Sequence, residues 1–234
     1  MRRVVKPELL DYLPASSHWA IRSRADLRRL NTIMGHARIL TNAFYQHLDL
    51  DAARARSFRI CELGAGDGTL LLQLAREWSA QGVTADAELV DRHYLVTDET
   101  RRAFVELAWH VAPLVMDVKT WMNHSTETFD IIFVNLFLHH FENEALCELL
   151  QQVAARTNFF IACEPRRSVF ALATSHLLSV IGCSKVTQHD AVASVHAGFA
   201  DSELTALWPA KDGWQMSEYP AGLFSHCFVA KRYA

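Results

Sequence analysis

Apolar residues recur at helical spacing near the start of the chain. Leu27, Leu30, Ile33, Met34, Ala37, Leu40, Phe44 and Leu48 fall on one side of a predicted helix, with Gly35 as a candidate break. Arg22, Arg24, Arg28, Arg29 and Arg38 decorate its other side, and a loop rich in Asp, Ala and Arg follows at 49–56. From residue 57 the pattern changes to short apolar runs alternating with amphipathic stretches. Strands are predicted at 58–62, 87–90, 113–117, 129–137 and 159–163, and helices at 69–80, 98–109, 143–156 and 168–181. Ile131, Ile132, Phe133 and Val134 stand together, as in a strand buried on both faces. Near the end, 214–219 and 224–231 flank Pro220-Ala221-Gly222 and read as a hairpin.

Five rounds of strand–helix alternation predict an α/β fold with right-handed crossovers and a parallel sheet covered on both faces. The hairpin raises the sheet to seven strands and adds an antiparallel one at its edge. Residues 57–234 then form one domain, and 1–56 a helical cap on it. Ligands of such sheets sit at the carboxyl ends of the strands, so the loops that leave the strands are where chemistry is sought.

Composition narrows the classes. Of 234 residues, 50% are hydrophobic and 21% charged, which excludes disorder for the bulk of the chain. The net charge of −3 argues against a dedicated nucleic-acid binder. It is unevenly spread: residues 1–60 hold 11 Lys/Arg against 5 Asp/Glu, and 61–234 hold 12 against 21. The five cysteines are odd in number and form no CxxC pair, as expected of reduced thiols in a cytoplasmic protein. The first residues carry charge but no apolar run like that of a secretory signal, and the most apolar stretch, 170–183, is too short to span a bilayer.

Glu62-Leu63-Gly64-Ala65-Gly66-Asp67-Gly68-Thr69 joins the first strand to its helix. Glycines there let the backbone turn sharply and approach a ligand, and the helix start offers free N–H groups. A dinucleotide loop has the spacing GxGxxG; here the third glycine comes one place early and Thr69 stands in its position. Asp91 ends the second strand 25 residues after Gly66, where a carboxylate can accept both hydroxyls of a ribose, with a surface turn residue as the alternative.

These residues resemble the class I S-adenosylmethionine-dependent methyltransferases. CELGAGDGT is similar to their first motif, VDRHY to the acidic end of their second strand and VMDV to their third motif. FDIIFVNLFLHHF resembles their fourth strand and IACEPRR the fifth with its exit loop. The matches run in order over about 57–168. The opening PELLDYLP with RADLRRLN more loosely resembles small bacterial enzymes of polyketide or phenolic-lipid synthesis.

The resemblance implies a Rossmann-like three-layer sandwich and S-adenosylmethionine as cofactor. By position, Glu62, Gly64, Ala65, Gly66 and Gly68 would lie along its methionine and ribose, and Asp91 would hold the ribose diol. Asp117 would face the adenine amine, with helix N-capping as its alternative; Val118 would pack near the ring, and Asn135 near the methionine end. His139 and His140 follow the fourth strand, where the methyl group points. His139 is the better candidate base for deprotonating an acceptor, against an alternative in which it only packs or caps. Glu164 and Arg166 would orient the acceptor, unless they merely pair with each other. No HxH or HExxH spacing suggests a metal.

The expected activity is methyl transfer to a small hydrophobic acceptor, chiefly O-methylation of a phenolic, quinone-like or polyketide compound. An NAD-binding oxidoreductase of similar fold and a non-catalytic cofactor-binding partner protein are the alternatives. Methylation of nucleic acid is disfavoured, since NLFL stands where base-modifying enzymes often carry NPPY. The chain gives no oligomeric state.

Overall fold

The computed structural model describes residues 1–48, 56–209 and 212–233, so the loop expected at 49–56 lies, but for its last residue, outside the described residues. Seven strands form one sheet: β1 (Phe58–Leu63), β2 (Ala85–Asp91), β3 (His110–Val115), β4 (Ile131–Asn135), β5 (Phe159–Pro165), β6 (Trp214–Ala221) and β7 (Ser225–Arg232). Their spatial order is 3-2-1-4-5-7-6. The first five are mutually parallel, while β7 runs antiparallel to both β5 and β6. β1 and β4 are neighbours whose chain connections leave in opposite directions across the sheet. Their carboxyl ends therefore open the crevice in which such sheets hold ligands.

Ten helices are described: α1 (Leu9–Tyr12), α2 (His18–Met34), α3 (His36–His47), α4 (Thr69–Ser79), α5 (Asp98–Glu106), α6 (Val118–His124), α7 (Asn143–Arg156), α8 (Val169–Ser175), α9 (Lys185–Ala197) and α10 (Glu203–Leu207). One sheet face is covered by a core built from α3, α4 and α5, including Leu40, Phe44, Leu71, Trp78 and Phe104. The other is covered by α6, α7 and α10, through Trp121, Leu146, Leu150, Leu204 and their neighbours. The result is the three-layer, Rossmann-like sandwich.

The predicted break falls at Gly35, which adopts φ +70 and separates α2 from α3. That break divides the expected cap. Phe44 of α3 stacks on Trp78 of α4 at 4.0 Å and is wholly buried in the main core, so α3 is a layer of the sandwich. α1, α2, α8 and α9 line the cavities at the strand ends.

Three elements differ from expectation. The third strand begins at His110 rather than 113, because it is an edge strand paired only with β2 and shows little apolar alternation; as an edge it tolerates Pro113. The preceding helix stops at Glu106, and Ala108 at φ +58 turns the chain so that Trp109 is buried. The helix expected over 168–181 ends at Ser175. There the Thr174 and Ser175 hydroxyls donate back to the carbonyls of Phe170 and Leu172, a competition that weakens helices. Short turns follow as far as Gly182.

If α3 belongs to the core, Phe44→Ala should cost about 3–5 kcal/mol of stability. Urea unfolding would measure it, and a loss below about 1 kcal/mol would mean that the stack with Trp78 contributes little.

Candidate active site

The glycine loop begins where β1 ends. Gly64 and Ala65 donate their N–H groups to the Val90 carbonyl, which pins the loop to the end of β2. A side chain on Gly64 would meet the Phe137 ring at 2.4 Å, so this glycine lets the loop after β4 pack against the loop after β1. Gly66 has φ +57 and open space where a Cβ would lie, leaving its backbone accessible from the cavity. Asp91 holds the loop in place: one carboxylate oxygen accepts from Gly66 N–H at 2.9 Å and the other from His93 N–H at 2.8 Å. Asp117 N-caps α6, accepting from Lys119 N–H at 2.8 Å, and still lines the same cavity with Val118.

The loop after β4 is shaped by a buried carboxylate. Leu136 takes a left-handed conformation, φ +51. The following N–H groups of Phe137 and Leu138 donate to Glu164 at 3.0 and 2.8 Å, and that of His139 at 3.3 Å. The His139 ring adds Nδ1 at 2.8 Å. Burial opposes the Glu164 charge, but these donors outweigh it and hold the carboxyl below its ordinary range. Sequence reasoning placed Glu164 against an acceptor or in a surface pair with Arg166. The structure instead buries it completely behind His139, with its oxygens occupied.

The second nitrogen of His139, Nε2, faces Glu8 at 3.3 Å. Glu8 also accepts a hydrogen bond from the Ser194 hydroxyl of α9. Burial alone would discharge the imidazole, but hydrogen bonds to Glu164 and Glu8, and their charges, raise its pKa to about 9. The same contact overrides burial at Glu8 and lowers its pKa to about 2. His140, its ring tilted against that of His139 with centroids 4.3 Å apart, is pushed the other way by burial and by its cationic neighbour. Glu8, His139 and His140 bring ligand atoms within 4.8 Å of one another. With a carboxylate at each nitrogen of His139, its proton supplies the balancing positive charge.

Glu8 belongs to an N-terminal strap that no local sequence signal tied to this site. Val4 donates to the His196 carbonyl at 3.0 Å, Arg3 to those of Ala197 and Phe141, each at 2.8 Å, and Leu9 and Leu10 to Asp190 at 2.7 and 3.0 Å. Asp11 pairs with Arg92, the residue after Asp91.

Two cavities result. A polar one of about 440 Å³ is walled by Gly64, Gly66, Asp91, Asp117, Val118 and the two histidines, with Glu8 and Asp11 on the strap side. An apolar one of about 310 Å³ is walled by α2, α8, α9 and the 177–181 turn. Leu27, Leu136 and Ser194 line both, so the two adjoin at the exit of β4.

Other predicted residues sit behind these walls. Glu62 and Asn135 are buried, and each keeps a side-chain oxygen without a partner among the described residues. Burial, with Asp67 and Asp91 nearby, pushes the Glu62 carboxyl well above its usual range. Ala65 is buried, and Gly68 packs its α-carbon toward Leu89 at the start of α4. Arg166 lines neither cavity; its backbone joins Phe199 and Phe224, and its guanidinium reaches the Gly222 carbonyl at 3.5 Å. Arg167 is buried and pairs with Glu203.

Residues 60–158 match the family model of a methyltransferase domain. No curated protein matches the chain at a significant level. Among solved structures, an O-methyltransferase family protein from Burkholderia thailandensis is similar over 94% of this chain and 63% of its own, at 16% identity and a TM-score of 0.59. The plantazolicin methyltransferase BamL, solved with a desmethyl-plantazolicin analogue and S-adenosylhomocysteine, is similar over 96% of this chain and 93% of its own, at 11% identity and a TM-score of 0.63. The pyocyanin biosynthetic protein PhzM is similar over 96% and 60%, at 16% identity and a TM-score of 0.57. The chain thus spans less than two thirds of the first and third of these proteins. At such identities the likeness is one of fold.

The buried pair has a pH signature. His139 is raised from 6.5 to about 9, so its contribution to stability is complete below pH 6.5 and lost as pH rises through about 9. Glu8 is lowered from 4.5 to about 2, so its contribution is complete above pH 4.5 and lost as pH falls through about 2. Both are complete only between about pH 4.5 and 6.5. Urea unfolding across pH should show stability falling on the order of 3 kcal/mol from pH 6.5 to above 9. His139→Gln should flatten that limb, and an unchanged alkaline slope would refute the assignment.

Proposed function

We propose that the chain, whose residues 60–158 match the model of a methyltransferase domain, is an S-adenosylmethionine-dependent methyltransferase of the class I kind that methylates an oxygen of a small hydrophobic acceptor of phenolic, quinone-like or polyketide type. The observation that carries this reading is the junction of a polar and an apolar cavity beside the His139–Glu164 pair.

The polar cavity suits S-adenosylmethionine. Gly66 leaves backbone open to it, Asp91 and Asp117 set carboxylates in its wall, and Val118 supplies an apolar surface. When bound, the cofactor supplies an electrophilic methyl group on its sulfonium. The residues of this chain have then to orient the acceptor, exclude water and take a proton.

The acceptor's ring or hydrocarbon body occupies the apolar cavity, with its hydroxyl turned toward the junction at Leu27, Leu136 and Ser194. Two groups there could receive the hydroxyl proton. Glu8, with a pKa of about 2, is too weak a base. His139 is already protonated while Glu8 faces Nε2. If the acceptor hydroxyl displaces Glu8, Nε2 loses the carboxylate that stabilises its proton and gives that proton up to water, while Glu164 keeps Nδ1–H and fixes the neutral tautomer with a free lone pair on Nε2. The phenolic proton would then move to the vacated Nε2 as the oxygen lone pair bonds to the methyl carbon and the methyl–sulfur bond breaks, leaving its electron pair on sulfur.

Calorimetry with S-adenosylhomocysteine tests the cofactor assignment, and absence of binding would end it. Asp91→Ala should weaken that affinity roughly tenfold or more. With labelled cofactor and a panel of phenols, quinones and fatty acids, His139→Gln should lower turnover roughly 100- to 10,000-fold at nearly unchanged cofactor affinity. Wild-type turnover would remove His139 from the mechanism. Glu8→Gln should move the acid limb of the pH–rate profile to lower pH, because it removes a charge that stabilises the imidazolium.

A further inference from the structure

The mouth of the apolar cavity does not end in an ordinary polar surface. Ile33, Leu177 and Ile181 line the cavity and are also exposed, so they form its rim. Val180, at the tip of the turn after α8, is 80% exposed. Phe170, half-exposed, stacks on the cavity-lining Phe224 from another side.

One stripe of α2 continues this rim. Residues 19, 22, 26, 29 and 33 recur at helical spacing and share a face. Asp26 on that face is buried, accepting from Ser184 N–H at 2.6 Å. Arg22 and Arg29 reach over the turn to the carbonyls of Gly182 and Ile181, at 3.3 and 3.2 Å. Trp19 lies exposed at the end of the stripe. An apolar mouth is thus flanked by an exposed indole and two arginines held beside it.

Charge on this face contrasts with the chain as a whole. The protein is net negative at −3, yet residues 168–189 contain Lys185 with no Asp or Glu. In α2 the sole acid is the buried Asp26, which pairs with Arg29 at 3.3 Å, and of the four arginines Arg22 and Arg29 border the mouth.

We propose that the rim formed by Trp19, Arg22, Arg29, Ile33, Leu177 and Val180 docks on an anionic lipid bilayer, into which the 177–181 turn inserts its aliphatic side chains. Aliphatic tips enter the acyl boundary, an indole suits the headgroup level, and arginines meet lipid phosphates. A second copy of the chain is the other occupant an apolar surface invites, but a copy seated here would close the cavity mouth. A bilayer leaves it facing the phase in which hydrophobic compounds concentrate. The choice of a bilayer over a second copy rests on the proposed reading of the apolar cavity as the acceptor's, whereas vesicle binding itself is measured without any methyl transfer.

Sedimentation of the full-length protein with vesicles tests this, using phosphatidylcholine alone and an equimolar mixture with phosphatidylglycerol. Binding is expected to the mixed vesicles, much less to the neutral ones, and to weaken with added salt. Val180→Asp should weaken it roughly tenfold, and Arg22→Gln roughly fivefold, the factor for one basic residue near a charged surface. Both side chains are exposed, and unchanged S-adenosylhomocysteine affinity with an unchanged unfolding midpoint would confirm intact folds. Absence of binding to the mixed vesicles at low salt would overturn the proposal, as would binding that Val180→Asp leaves intact. A dimer in gel filtration that Val180→Asp dissociates, with no vesicle binding, would assign the rim to a second copy instead.

Discussion

The Glu164 carboxylate organises the site around it. It stands near the end of β5, one residue beyond the pairing of Cys163 with Asn135, and lies wholly inside the protein. A carboxylate in that position is costly unless its oxygens are met by donors. The donors come from the loop that leaves β4, whose left-handed Leu136 turns the next three N–H groups toward it. The same charge anchors Nδ1 of His139, so one buried anion sets both the path of the backbone and the direction of the ring. Phe137, carried on this loop, fills the space that Gly64 leaves, and the loops after β1 and β4 become one wall.

The remaining walls come from far along the sequence. Glu8 meets a histidine 131 residues away, and Ser194 joins Glu8 from α9. Such a strap is held by distributed ties: backbone bonds to Asp190 and His196, arginine bonds to carbonyls, and the Asp11–Arg92 pair. None of these is a hydrophobic contact of core strength. Residues 1–13 can therefore yield to a ligand at far lower cost than α3, whose Phe44 is locked against Trp78.

What was legible in the sequence follows from this division. The sheet was readable because buried parallel strands are continuous apolar runs and their helices are one-sided, as at Ile131–Asn135 and Asn143–Arg156. The glycine loop, Asp91 and His139 were readable because strand order alone places them at the carboxyl edge. α9 was not, because it packs against α1, α2 and α8 on different sides and so shows no single apolar stripe. Glu8 was hidden for a different reason: an acidic residue near a chain start has no local feature that distinguishes a partner of a buried imidazole from a solvated charge. Glu164 was recognised as important but misplaced, since its value lies in donors that only the folded β4 loop presents.

Part of the uneven charge of the chain lies on α2. Its arginines divide by helical phase into two pairs. Arg24 and Arg28, four residues apart, turn toward the polar cavity and the glycine loop, where Arg24 lines the wall and Arg28 pairs with Asp67 at 2.7 Å. Arg22 and Arg29, seven apart, turn to the 181–184 segment at the mouth of the apolar cavity. A single amphipathic reading of this helix merges the two pairs into one solvated face. In the fold, one pair supports the loop that borders the polar cavity and the other borders the opening to the apolar one. The four arginines of α2 are thus spread over two surfaces, and each meets a different side of the proposed reaction.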